Sequence, residues 1–510
     1  MRTVFFPFLL IFQFFISVGQ NTDAQMQQVM QDQQLMGVSV VAVCNDSVIY
    51  NGNFGFADYA RNIPVNDSTL FRIASISKTV AATALMILYE NKLFTLDQDI
   101  GDILGYKIRN PKFPDVPITP RMLLSHTSSI FDGTGYGKFI TTTYYHDTVP
   151  ALSSLLTDTG SYYTDDIFLD KKPGTYFIYT NLNFGIIGTL VEKLSGIRYD
   201  IFCRENIFKP LGISASYRIQ DIPEINNLAV LYRASNDIWK PQADNFNGIM
   251  AAARNLDNYM IGTNAMIYGP HAALRISAID LSKLMILQMN DGIYNGVRLL
   301  QDSTAKLMHK IQWKYDGKNG DTFFGLFRNW GLGFQVTSDL TNADTTSAGC
   351  TLTGHIGDAY GLLSDMFFNE KNKFGMILIT NGSKKEFAGS TYSAFNAVED
   401  DIFEVLYNSE ILPVLESSVI SNLGEKYKTG IVFDSKNEKS NVRYYMPESG
   451  DLYCRVFNSV GKLISFTDKY YDTFGRKQVV ISTAGLPNGL YYCIIESDGN
   501  RKMMTLNICK

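Results

Sequence analysis

Strand-like runs stand at both ends of residues 25–408, and no other feature constrains the fold as strongly. GVSVVAVC at 37–44 is β-branched and apolar, Asn45-Asp46 makes a turn, and 47–57 continues as a second strand. That pattern predicts a β-hairpin. Far along the chain, 362–369 and 374–380 form a second strand pair around the turn Glu370-Lys371-Asn372-Lys373. Helical patterns lie between. From about Ser75 to Tyr89 the apolar positions Val80, Ala84, Ile87 and Leu88 recur at helical spacing, and Asp280–Met289 and about 390–407 read the same way. Residues 215–270 read as irregular and rich in Asn, Ala and Tyr. Such a chain is expected to set its first and last strands side by side in a mixed sheet layered with helices, an α/β or α+β architecture.

The pattern changes near residue 410. Residues 409–428 read as a linker, and 429–510 contain only strands and turns, which predicts a separate β-sandwich. At the other end, Arg2 precedes an apolar run from Val4 to Ile16, with small residues at Ser17 and Gly19. Residues 1–19 are therefore expected to be a secretory signal, too short for a span of about 20 residues. Export to the periplasm, the outer-membrane surface or the medium follows as an expectation. Six cysteines without C-x-x-C spacing call for neither a disulfide scaffold nor a zinc site, although Cys454 and Cys493 fall in strand-like segments. A net charge of -5 argues against a nucleic-acid partner, which needs a basic face.

Three motifs carry possible chemistry. Ser75-Ile76-Ser77-Lys78 opens the first apolar helix. A serine hydroxyl needs a base to take its proton, and Lys78 lies one turn on, on the same face. Desolvation lets a lysine serve as that base. S-x-x-K recurs at Ser303–Lys306 and Ser459–Lys462, but neither opens an apolar helix. Tyr179-Thr180-Asn181 precedes another helix; a phenol can relay a proton and the amide of Asn181 can hold a substrate backbone. His355-Ile356-Gly357 lies on a glycine-rich strand edge, where Gly357 permits close approach and His355 can donate to a substrate carboxylate or carbonyl.

The blocks FRIASISKTVAATALMILYENKLFTLDQDI, PITPRMLLSHTSSI, KPGTYFIYTNLNFGIIGTLVEKLSG and GHIGDAYGLLSDMFFN follow one another in the order and spacing of a single family. The chain resembles the serine β-lactamase-like proteins: class C β-lactamases, D-alanyl-D-alanine carboxypeptidases, D-aminopeptidases and related esterases. The resemblance implies a β-lactamase/transpeptidase-like sheet flanked by helices, with an all-helical subdomain beside it. It implies Ser75 as acylated nucleophile, Lys78 and Tyr179 as proton relay, and Asn181, His355 and Gly357 at the substrate. Backbone N–H groups of Ser75 and of the strand after His355 would form the oxyanion hole. His126, in LLSHTS, is read as structural. Two departures stand out: His355 replaces the lysine of β-lactamases, and Ser129 replaces a usual glycine.

The C-terminal residues, with VFNSVGKLIS, ISTAGLPNGLYYCIIES and KMMTLNICK, resemble the sorting domain of the type IX secretion system, whose machinery would be a partner. The activity expected from all this is acyl-enzyme hydrolysis of a peptide, amide or ester. Cell-wall peptides or D-amino-acid peptides stand first, with weak β-lactam hydrolysis, a small-ester esterase, and a β-lactam-acylated sensor as alternatives. No metal or cofactor is expected, since the five histidines are scattered and no H-E-x-x-H occurs.

Overall fold

A computed structural model of the chain describes residues 22–340, 342–385 and 389–415, and the strands of 439–508. The expected signal, residues 1–19, lies outside the described residues. Contacts divide the chain into two compact units, Met1–Ile411 and Leu412–Lys510.

The first unit is built on a nine-stranded sheet. In chain order its strands are β1 (Gly37–Cys44), β2 (Ser47–Asp58), β3 (Ile63–Pro64), β4 (Trp313–Lys314), β5 (Asn329–Trp330), β6 (Gln335–Val336), β7 (Thr353–Ala359), β8 (Leu362–Asn369) and β9 (Phe374–Thr380). They lie in the order β4-β5-β6-β7-β8-β9-β1-β2-β3. The first and last strands do meet: β1 pairs β9 from Val38↔Thr380 to Cys44↔Phe374. The sheet is not mixed as expected. Every neighbouring pair is antiparallel. The reason is connectivity: most neighbours are joined by short hairpins, and parallel pairs need crossovers of a dozen residues or more. The architecture is α+β.

Strands β1, β8 and β9 are buried at every position, so both faces of the sheet are covered. The helix Ala278–Met289 packs on β1, β8 and β9, and Ala397–Leu406 packs on β9. Between Phe71–Arg72 and Ala215–Ser216 the described elements are all helical, the longest being Ser77–Glu90 and Asn181–Ser195, which pack on each other. The stretch read as irregular carries a hairpin, Leu231–Ser235 with Ile238–Ala243. The helix Ala397–Leu406 runs on through a wider turn, Tyr407–Ile411, so the start of the expected linker is helical. Residues 416–438 lie outside the described residues.

In the second unit, Gly450–Asn458 pairs with Leu463–Phe466, Tyr470–Asp472 and Gly489–Ser497, which in turn pairs Asn500–Ile508; Lys439–Met446 pairs Gly475–Ser482. Its register sets Cys454 opposite Ile495 and Cys493 opposite Val456, so the two cysteines are diagonal rather than directly opposed.

Candidate active site

Three pieces of chain bring the sequence motifs together: the turn before the helix Ser77–Glu90, the segment entering the helix Asn181–Ser195, and strand β7. The helix does not begin at Ser75. A tight turn, Ala74–Ile76, precedes it, and Ala74 holds a left-handed φ of 44°. Left-handed backbone is costly for any residue with a Cβ, and such strain persists only where the surroundings hold it. Here they do. Ile73 N–H donates to Leu274 O at 3.0 Å, and Ser364 Oγ donates to Ile73 O at 3.0 Å. Strand β7 presses on the same turn. A Cβ at Gly357 would stand 2.6 Å from Ile73 O and 2.3 Å from Ser364 Oγ. Glycine is thus required at 357 for β7 to lie against the serine turn. Beyond Gly354, β7 has no strand on its other edge among the described residues, because β6 pairs only with Thr353 and Gly354. That edge is therefore unpaired in the sheet ladder.

Lys78 is fully buried and sits at the centre. Its Nζ donates to Ser75 Oγ, Asn181 Oδ1 and the carbonyl of His271, each at 2.9 Å. Burial pulls its pKa down to about 7, against the opposing pull of the Asp132 charge. The three partners settle what the neutral amine does. A carbonyl and an amide oxygen only accept, so the lone pair of neutral Lys78 can take a hydrogen from Ser75 alone.

Tyr179 stands over this group, with Lys78 Nζ 4.9 Å from its ring centroid. Its buried hydroxyl lacks a hydrogen bond at normal distance. Burial pushes its pKa well above the ordinary phenol range, Ser75 draws it down, and Asp132 adds to the rise. Tyr179 therefore stays a phenol at neutral pH, able to give a proton but not to act as a phenolate.

His355 is fully buried, and its Nδ1 lies 2.6 Å from the carbonyl of Ile356. A carbonyl only accepts, so Nδ1 carries the hydrogen and Nε2 is a bare, unpartnered lone pair. Burial first, then the Lys78 charge, lowers its pKa to about 3. With Nδ1 committed to the Ile356 carbonyl, Nε2 can accept a hydrogen bond but not donate one, and burial holds the ring neutral. His126 has the opposite tautomer, since its Nδ1 accepts from the Thr180 N–H at 3.2 Å. Its ring packs on Phe177, Tyr179, Phe184 and Trp330, in keeping with a structural role.

Sequence reasoning missed Asp132. The helix Asn181–Ser195 has Thr180 at its N-cap, yet Thr180 makes no capping bond of its own. Asp132 supplies it instead, accepting from Asn181 N and Leu182 N at 2.9 Å each and from Thr180 Oγ1. One carboxylate thus orients the Tyr-Thr-Asn motif and biases Lys78. The carbonyl of His271 was missed as well, since a backbone acceptor leaves no mark on the side-chain pattern. The rival Ser303–Lys306 pair lies on the helix Asp302–His309, with Lys306 exposed and paired to Asp302 and Asp291. Ser459 lies outside the described residues. Among the described residues no cluster of three His, Cys, Asp or Glu side chains is placed to hold a metal ion.

The chain is similar to several known proteins. A penicillin-binding protein of Bacillus subtilis (strain 168) is 26% identical over 179 residues, 34% of this chain and 36% of its own length. The chain spans less than two thirds of the curated relatives it matches. Among solved structures, the octameric penicillin-binding protein homologue from Pyrococcus abyssi superposes with a TM-score of 0.56 at 17% identity, covering 96% of both chains. EstCE1, a hydrolase with promiscuous acyltransferase activity, does so at 0.55 and 20% identity, covering 78% of this chain and 99% of its own. These two likenesses bear on the fold. The Beta-lactamase family model matches residues 22–399, and the chain belongs to that family of serine hydrolases.

Proposed function

We propose that this chain hydrolyses esters and amides through an acyl-enzyme on Ser75, and that carboxylate-bearing peptides and β-lactams are its poorer substrates. One observation carries the ranking: His355, bound to the Ile356 carbonyl and held neutral, stands where β-lactamases have a lysine. Cell-wall peptides, first on sequence grounds, end in a carboxylate that this position does not pair. Their weaker turnover is still expected of a relative of penicillin-binding proteins.

In the first half-reaction Ser75 Oγ bonds to the carbonyl carbon and its proton passes to neutral Lys78. The carbonyl oxygen takes the negative charge and is met by backbone N–H groups of Ser75 and of the open edge of β7. The leaving group departs with a proton delivered from the Lys78 ammonium through the Tyr179 phenol. Asn181 fixes Lys78 through its Oδ1 and offers its amide hydrogens to the substrate. Water then repeats the sequence against the acyl carbonyl, returning Ser75 and releasing the acid.

The test is a panel of short-chain p-nitrophenyl esters, D-aminoacyl amides, D-Ala-D-Ala peptides and a fluorescent penicillin. Ester and amide turnover above that of the carboxylate substrates supports the reading. Stable penicillin labelling with no turnover of any substrate would replace it with a binding or sensing role.

We further propose that the protein is exported and that its C-terminal unit, a β-sandwich, is an address for type IX secretion. The apolar run at 4–16 and the strand-only composition after 429 support this. Deleting residues from about 415 onward should keep hydrolysis within a few-fold and leave the protein in the periplasm of a host with that system. Surface export of the truncated chain would overturn the assignment.

A further inference from the structure

Single exposed apolar side chains are ordinary on a protein surface. Phe323 and Phe324 are not single: they are adjacent, 54% and 95% exposed, on the surface of the first unit. Both hold left-handed backbone, at φ 48° and 58°, and Gly325 follows at 98°. Bulky residues rarely adopt that conformation, and a turn of this shape is more easily made with Asn or Gly.

The turn is tightly built. Phe323 N–H donates to Asp321 Oδ1 at 2.9 Å, Gly325 N–H to Thr322 Oγ1 at 3.1 Å, and Phe327 N–H to Thr322 O at 2.9 Å. It is also fastened to the catalytic motif. Phe177, two residues before Tyr179, accepts at its carbonyl from Asp321 N–H and donates from its N–H to Asn319 O, both at 3.0 Å. The phenylalanine pair is thus held out by bonds to the segment that carries Tyr179.

The rings themselves connect to the site. Tyr179 stacks on Phe327 at 5.3 Å and 24°, and Phe327 stacks on Phe323 at 5.7 Å and 22°. Phe324 meets Phe323 edge-on at 5.9 Å. Phe327 is buried, so the ladder leaves the catalytic phenol through the protein and emerges at Phe323 and Phe324.

We propose that Phe323 and Phe324 form an apolar platform at the mouth of the site, which receives the hydrocarbon part of the acyl group while its carbonyl lies at Ser75. This inference rests on the acyl-enzyme reading and narrows it to substrates with an apolar arm. A rigid, pre-positioned aromatic surface binds such an arm at little ordering cost.

The test compares p-nitrophenyl octanoate with p-nitrophenyl acetate in the full chain, for wild type and for Phe323→Ala, Phe324→Ala and the double variant. The two esters share their chemistry, so the ratio of their kcat/KM values isolates the acyl contact. The double variant should lower the octanoate-to-acetate ratio about tenfold, mainly through the octanoate KM. Equilibrium dialysis with octyl 4-nitrophenyl ether reads the same contact without chemistry, in wild type and in Ser75→Ala. Ether binding that survives Ser75→Ala and falls in the double variant supports the platform, even if no ester is turned over and the acyl-enzyme reading fails. An unchanged ratio with unchanged ether binding overturns the platform. So does loss of co-sedimentation with phosphatidylcholine vesicles in Phe324→Asp at an unchanged ratio, which would make the pair a membrane contact.

Discussion

Two helix openings meet at Lys78, and they are built in opposite ways. The opening at Ser75 is local. Its proposed nucleophile and base lie three residues apart in one turn, although the strain at Ala74 is held by the distant Leu274 and Ser364. The opening at Asn181 is borrowed. Its own N-cap threonine makes no capping bond, and a carboxylate 49 residues earlier satisfies its first amides. The first keeps its reacting pair adjacent in the chain; the second couples its motif to the loop that lends the charge. Four substitutions probe that contrast.

The largest effect falls on the local opening. Ser75→Ala should remove fluorophosphonate labelling and lower turnover by as much as about 10⁶-fold, the scale of nucleophile loss in serine hydrolases. Ser303→Ala, whose Lys306 is exposed and paired with acids, should be silent. Equal labelling of Ser75→Ala and wild type would remove the nucleophile from this turn.

Lys78 belongs to both openings, since it bonds Ser75 and Asn181 alike. Lys78→Ala should cost roughly 10²–10⁴-fold in kcat/KM, the range for a lost general base. In wild type the pH profile should show an ascending limb centred near 7. Burial lowers the ammonium pKa to about that value, and the amine that accepts the Ser75 proton accumulates above it. No second limb near pH 6.5 is expected from His355, whose pKa is pulled to about 3. A flat profile from pH 6 to 8.5 would count against Lys78 as the base.

The same contrast explains what the sequence disclosed. Periodicity and turn residues disclosed the hairpin β1–β2, the pair β8–β9 and the helix after Ser75, because each is specified by neighbours in the chain. The pairing of β1 with β9 followed from where those strands stand. The direction of the whole sheet did not, because the two-residue strands β4–β6 carry too few residues for an alternating pattern. The motif residues Ser75, Lys78, Tyr179, Asn181, His355 and Gly357 do converge. The charge state of His355 was illegible, since burial and a neighbouring ammonium set it, and neither is written beside residue 355. Asp132 was illegible for the same reason: what makes it important is a helix that starts at residue 181.

The third substitution breaks the borrowed opening. Asp132→Asn keeps an oxygen acceptor but removes the charge and weakens the cap. Stability should fall by about 1–2 kcal/mol, as for other caps, and activity by roughly 10–100-fold as Asn181 and Tyr179 lose their placement. The charge of Asp132 favours the Lys78 ammonium. Its removal should therefore move the ascending limb below pH 7, so that the surviving activity persists further into acid. A limb that stays in place would reduce Asp132 to a cap with no electrostatic part.

The smallest effect tests whether the lending loop is itself under strain. Ser129 stands three residues before Asp132, where the family usually has glycine, and it holds a left-handed φ of 64°. Relief of that conformation in Ser129→Gly is worth roughly 1–2 kcal/mol. The added freedom of glycine in the unfolded chain takes back roughly 0.4–1 kcal/mol. The Ser129 hydroxyl also accepts from Asn110 Nδ2 at 3.0 Å, but that amide keeps the carbonyls of Leu169 and Lys171 as partners. The net expectation is a stabilisation below about 1 kcal/mol, read as a small rise in the denaturation midpoint, with kcat/KM within twofold of wild type. Ser129→Val, which forces a β-branched residue into the same φ, should destabilise by more than Ser129→Gly gains. The loop is docked independently of residue 129: Ser128 Oγ bonds Asn183 Oδ1 at 2.8 Å, and the cap is made by Asp132. If Ser129→Gly instead lost activity tenfold, the hydroxyl at this left-handed turn would be positioning Asp132, and the borrowed opening would reach one step further back along the chain.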